Sequence, residues 1–106
     1  MREKEIEERL RKAVKQAGGK AYKFISPGNA GVPDRLVVMP GGRIGFVELK
    51  APGRSPTPLQ RARMRELESL GCCVRSLDGP GKIPEAIAAI CRPGVGLHLG
   101  KQEGEA

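Results

Sequence analysis

Residues 34–50, DRLVVMPGGRIGFVELK, constrain the fold of this chain more than any other stretch. Two β-rich runs, Asp34–Met39 and Arg43–Lys50, flank Pro40-Gly41-Gly42, and that punctuation predicts a β-hairpin. Side chains alternate along a strand, so Ile44, Phe46, Glu48 and Lys50 share one face while Val47 and Leu49 share the other. A strand built only for burial would end in apolar residues. This one ends in a carboxylate and an ammonium two positions apart, and the hairpin brings Asp34 back beside them. The loop decides the parity. A two-residue turn at Gly41-Gly42 pairs Asp34 with Leu49, on the wrong face. A three- or five-residue loop, or a bulge at Gly45, brings Asp34 over Glu48.

The remaining elements follow from periodicity and punctuation. Residues 3–17 read as an amphipathic helix with Ile6, Leu10, Ala13, Val14 and Ala17 on one face, stopped by Gly18-Gly19. Lys20–Ser26 alternates as a half-buried strand does, and PGNAGVP marks a loop. Thr57 is a good N-cap with Pro58 at the first helical position, so a second helix runs from about 58 to 70 and ends at Gly71. Cys72–Leu77 is a short strand, and Ile83–Cys91 a third helix. The order α-β-β-β-α-β-α predicts an α/β fold, with a parallel right-handed crossover attached to an antiparallel hairpin in a mixed sheet flanked by helices. A chain of 106 residues is one domain, expected over 1–92, with a flexible Gly-rich tail over 93–106.

Charge narrows the partners. Nineteen Lys and Arg against twelve Asp and Glu give a net charge of +7, which favours a polyanion. One Tyr, two Phe and no Trp disfavour a single-strand binder that stacks bases on aromatic platforms, so backbone contact is the expected mode. Lys20, Lys23, Asn29, Arg35, Arg54 and Arg61 are the candidates for that contact. No apolar run approaches the roughly 20 residues of a membrane span, and the charged start MREKEIEERL is no secretory signal, so the expected compartment is the cytoplasm. Cys72, Cys73 and Cys91 lack metal-site or disulfide spacing and read as small buried hydrophobes.

Two carboxylates a few ångströms apart raise one another's pKa unless a divalent cation lies between them. Oxygen ligands suit magnesium or manganese, and such an ion can acidify a bound water and stabilise charge on a phosphate. Lys50 can hold a scissile phosphate or orient the attacking water. On helix 1, Glu3 lies about 35° and Glu7 about 75° from the centre of the apolar stripe, so both are sheet-side acids. Gln60 shares a stripe with Met64 and Leu67 on helix 2, close after Lys50. His98, the only histidine, lies in the tail, which leaves acid-base work to carboxylates, Lys50 or metal-bound water.

Asp34, then Glu48-Leu49-Lys50 after a hairpin, then a helix carrying Gln60, resembles the PD-(D/E)xK nuclease superfamily. Within it, EKEIEERL, KFISPGNAGVPDRLVV, FVELKAPG and SPTPLQ are similar to the small phage and bacterial type of VRR-NUC domain, over roughly residues 3–78. The resemblance implies a restriction-endonuclease-like four-stranded sheet and a Mg2+- or Mn2+-dependent endonuclease. It further implies action as a homodimer on branched double-stranded DNA such as four-way junctions, in a bacterial or phage-infected cell. Asp34, Glu48 and the Leu49 carbonyl would bind metal, with an acid matching Glu3 or Glu7. Lys50 would be the catalytic lysine, and Gln60 the supporting glutamine. The rival is a non-catalytic basic DNA-binding module of the same fold. A weaker third reading is a small basic protein that docks on RNA or protein.

Overall fold

The computed structural model describes residues 1–92, so the tail expected over 93–106, with His98, lies outside the described residues. The elements are α1 (Glu3–Gln16), β1 (Lys20–Lys23), β2 (Arg35–Met39), β3 (Arg43–Leu49), α2 (Pro58–Ser69), β4 (Cys73–Leu77) and α3 (Ile83–Cys91). A 3-10 turn over Pro80–Lys82 leads into α3. The four strands form one sheet in the order β1-β2-β3-β4, antiparallel up to β3 and parallel between β3 and β4. This is the expected mixed sheet and element order.

The hairpin loop settles the parity. Met39 pairs with Arg43, so Pro40, Gly41 and Gly42 form a three-residue loop. Gly41 and Gly42 hold φ of 84° and 76°, a left-handed conformation that side chains resist. The register runs to Arg35↔Val47, and one step further sets Asp34 opposite Glu48. Gly45 makes no bulge: it pairs regularly with Val37 and serves packing instead. A Cβ there would lie inside contact distance of Ile90 Cγ1 and 2.8 Å from its Cδ1, so the missing side chain lets α3 close onto β3.

Strand alternation divides the two faces. Val37, Met39, Val47, Leu49 and Leu77 meet Ile6, Leu10 and Val14 of α1 and Ile83, Ala86 and Ile90 of α3 in one buried cluster. Burial of each Val, Leu, Ile or Met among them stabilises the fold by about 1.5–3 kcal/mol before chain entropy is subtracted. The other face carries Phe46 and Glu48, with Val74 registered beside Phe46 and the Phe24 ring packed edge-on at 5.7 Å. Helix α2 lies over this face through half-buried Gln60, Met64 and Leu67, and none of its residues is fully buried.

Three expectations need correction. Strand β1 ends at Lys23, although Phe24 N–H still donates to Asp34 O at 2.8 Å. Ala17 is exposed because α1 has already ended at Gln16. The cysteines are not core residues: Cys72 and Cys73 are half-buried and Cys91 is exposed.

Candidate active site

The chemistry-bearing residues converge where β3 ends, between the starts of α1 and α2. Glu48 is only 5% exposed, on the α2 face of the sheet. Its Oε2 accepts from Gln60 Nε2 at 3.2 Å and lies 3.7 Å from Lys50 Nζ. Burial first, and then the negative charge of Asp34, push its carboxyl from 4.5 up to about 7. Lys50 pulls it down, while the charge of Glu3 adds to the rise.

Gln60 is held in turn by the start of its own helix. Thr57 caps α2 by accepting from Gln60 N–H at 3.1 Å, and Gln60 Oε1 accepts from Thr57 N–H at 2.9 Å. This reciprocal box satisfies two helix-start donors and commits the amide oxygen, which leaves the NH2 group to face Glu48. The T-x-x-Q spacing at 57–60 is the sequence signal for it. A helix cap thereby orients a group of the site.

Asp34 precedes β2. Its Oδ2 pairs with Arg35 Nη1 at 3.1 Å, whereas its Oδ1 is buried with no hydrogen-bond partner, alone among the described side-chain atoms. Such an orphan oxygen is costly unless something electropositive meets it. Leu49 buries its side chain in the core, and its carbonyl follows Glu48 along the chain.

The two acids of α1 separate. Glu7 Oε2 receives Arg35 Nε at 2.9 Å and Nη2 at 2.7 Å, so Arg35 engages it. Glu3 is exposed and shares a cleft of about 240 Å3 with Lys50, Arg54 and Thr57. Of the pair, Glu3 is the acid that faces Glu48 and Lys50. Glu5, pointing elsewhere, accepts from Arg2 N–H at 2.6 Å and caps the helix.

Among the described residues no trio of His, Cys, Asp or Glu closes into a metal-binding cluster. Magnesium, however, is commonly held by one or two carboxylates plus waters and substrate phosphate. The orphaned Asp34 Oδ1, the Glu48 carboxylate opposite it and an adjacent backbone carbonyl form a hard-oxygen donor set that fits such an ion.

The expected backbone contacts fare unevenly. Arg35 is 7% exposed and paired with Glu7 and Asp34. Arg61 donates to Pro56 O at 2.6 Å, and Asn29 is tied into its own turn through Ser26. Lys23 is exposed, and Lys20 lies 5.1 Å from the Tyr22 ring centre. Arg11, Lys12 and Lys15 were not singled out by the sequence reading. With Lys20 and the acidic Glu8 they line a groove of about 550 Å3 between α1 and β1, and none of the four basic residues enters an ion pair among the described residues. Their i, i+1, i+4 spacing on the outer face of α1 was the available signal.

A restriction-endonuclease-like sheet with an acid, a second acid and a lysine at adjoining strand ends is the architecture of a nuclease. No protein-family model matches the chain. The protein called "Putative nuclease p44" from Acyrthosiphon pisum secondary endosymbiont phage 1 is 54% identical over 78 residues, 74% of this chain and 84% of that protein. A solved structure described as a VRR_NUC domain superposes with a TM-score of 0.75 at 26% identity, over 81% of this chain and 94% of its own. The chain belongs to the VRR-NUC family of nucleases. Among the described residues no helix is long and apolar enough to cross a membrane.

Proposed function

We propose that the protein is a Mg2+- or Mn2+-dependent DNA endonuclease that hydrolyses backbone phosphodiesters at branched junctions. The observation that carries this reading is the register placing Asp34 opposite Glu48, with an orphaned Asp34 oxygen and Lys50 beside them. Asp34 Oδ1, Glu48 and the Leu49 carbonyl would hold the ion, with Glu3 the nearest further acid. A bound divalent cation supplies an acidified water and offsets charge on the scissile phosphate.

The chain's own residues do the rest. Gln60 holds Glu48 Oε2 in place, which leaves Oε1 for the site. Lys50 Nζ sits on the same carboxylate and presents a positive charge where a phosphate oxygen gains negative charge in the transition state. The groove of Arg11, Lys12, Lys15 and Lys20 supports a duplex backbone as the partner. With a rise of 1.5 Å per residue, Lys15 lies roughly 18 Å along α1 from Glu3, or about five base pairs of duplex.

Two cuts at a four-way junction need two sites, which a two-fold dimer supplies. Among the described residues Ile25 and Leu70 are the most exposed large apolar side chains, each about three-quarters accessible. A particle of twice the 11.4 kDa chain mass in sedimentation is the expected result, and a monomer at working concentration refutes it. The setting consistent with this reading is the cytoplasm of a bacterial or phage-infected cell.

The test is cleavage of a labelled four-way junction and a matching linear duplex, in Mg2+ or in EDTA. Cutting of the junction alone, in Mg2+ only, is expected, and Glu48→Gln should abolish it while DNA binding persists. Cutting of both substrates removes the branch selectivity. Tight binding without product in Mg2+ or Mn2+ would make the protein a non-catalytic DNA-binding module.

A further inference from the structure

Among the described residues Arg35 is the most deeply buried charged side chain outside the site, and its three nitrogens are all used. Nε and Nη2 go to Glu7 at 2.9 and 2.7 Å. Nη1 goes to the Asp34 carboxylate at 3.1 Å and to the Asp34 carbonyl at 3.0 Å. A guanidinium presents its donors in a rigid plane, so a guanidinium anchored on α1 by two bonds has little freedom in the third. That third nitrogen reaches Asp34.

Two consequences follow for Asp34. Oδ2 forms an ion pair with the same nitrogen that donates to the peptide carbonyl, and Oδ1 is the buried oxygen left without a partner. The charges also balance. An arginine paired with Asp34 alone would cancel the negative charge that a cation needs. Glu7 supplies a compensating carboxylate, so Glu7, Arg35 and Asp34 together carry one net negative charge.

We propose that Glu7 and Arg35 form a positioning pair: they aim Asp34 Oδ1 at the cation and leave the three-residue cluster with one net negative charge. This assigns to Glu7 a role in charge balance instead of ligation, and to Arg35 a role beneath the site instead of on the DNA. It rests on the cation-site reading above. Partners that orient a ligand from behind typically change metal affinity by about 10- to 100-fold when removed. The pair also joins α1 to β2, so a purely structural role would lower stability while leaving the affinity of the folded protein unchanged.

The experiment is Mn2+ binding to the full chain, followed by the loss of the free-ion electron paramagnetic resonance signal, for wild type, Asp34→Asn, Glu7→Gln and Arg35→Lys. Urea melts identify the folded fraction of each. Asp34→Asn should abolish specific binding, and if it does not, the cation site itself is misassigned. Given that loss, Glu7→Gln is expected to weaken Mn2+ by about 10-fold or more. Arg35→Lys, which keeps the charge but loses the planar fork, should also weaken it. The double variant should be no weaker than the worse single one. Wild-type affinity in folded Glu7→Gln would overturn the proposal. Should that variant not fold, wild-type affinity in Arg35→Lys would overturn it equally.

Discussion

Glu48 offers a sharp test that needs no substrate. Its carboxyl ionises near 7 in the folded protein against 4.5 ordinarily, because it is buried and faces Asp34. A folded-state value above the unfolded one means that the native state holds the proton more tightly. The corresponding stability is therefore complete below about pH 4.5 and disappears as pH rises through 7. That difference corresponds to about 3 kcal/mol, at about 1.4 kcal/mol per pH unit, and about 2 kcal/mol of it falls between pH 5 and 7.5. Glu48→Gln removes the titration and keeps an oxygen to accept from Gln60, although Lys50 loses its partner. In EDTA, urea denaturation should show wild type losing about 2 kcal/mol relative to Glu48→Gln between those pH values. Added Mg2+ should restore wild type at pH 7.5 and leave the variant unmoved. Parallel pH profiles for the two proteins would refute the account of Glu48 as a desolvated, repelled carboxylate.

Other substitutions probe the supports. Gly45→Ala inserts a methyl group against Ile90 and should cost about 1–3 kcal/mol in a urea melt, whereas a neutral result would mean that α3 does not depend on this close approach. Thr57→Ala removes the hydroxyl that caps α2 through Gln60 N–H, while the Thr57 N–H that holds Gln60 Oε1 remains. A loss of about 1 kcal/mol is expected in a urea melt, with Glu48 still held by Gln60 and turnover little changed. Lys12→Glu with Lys15→Glu should weaken duplex binding and reduce the salt slope by about 2, read by fluorescence anisotropy between 50 and 200 mM salt. An unchanged slope would remove the α1 groove from the DNA-binding surface.

The residues legible in advance were those whose role follows from local spacing. Glu48 and Lys50 had to share a strand face, and Gln60 had to lie one turn into a helix that follows closely. The stops at Gly18-Gly19 and Gly71 and the cap at Thr57 placed the helices to within a residue or two. The apolar stripe of α1 likewise predicted which side would meet the sheet, with Ile6, Leu10 and Val14 at its centre.

What pattern alone left open was anything that depended on an approach across the sheet. Several loop geometries were compatible with Pro40-Gly41-Gly42, and the observed pairing of Met39 with Arg43 sets the parity that brings Asp34 opposite Glu48. Glu3 and Glu7 both lay on the sheet side of the helical wheel, which did not choose between them. They differ because Arg35, 28 residues from Glu7 in sequence, lies buried beneath α1 and engages Glu7. Sequence periodicity set which face each side chain takes, since that is a property of one strand or one helix. Which charge meets which depended on the packing of separate elements, because ion pairs and ligand sets are made by distance in space and not by spacing along the chain.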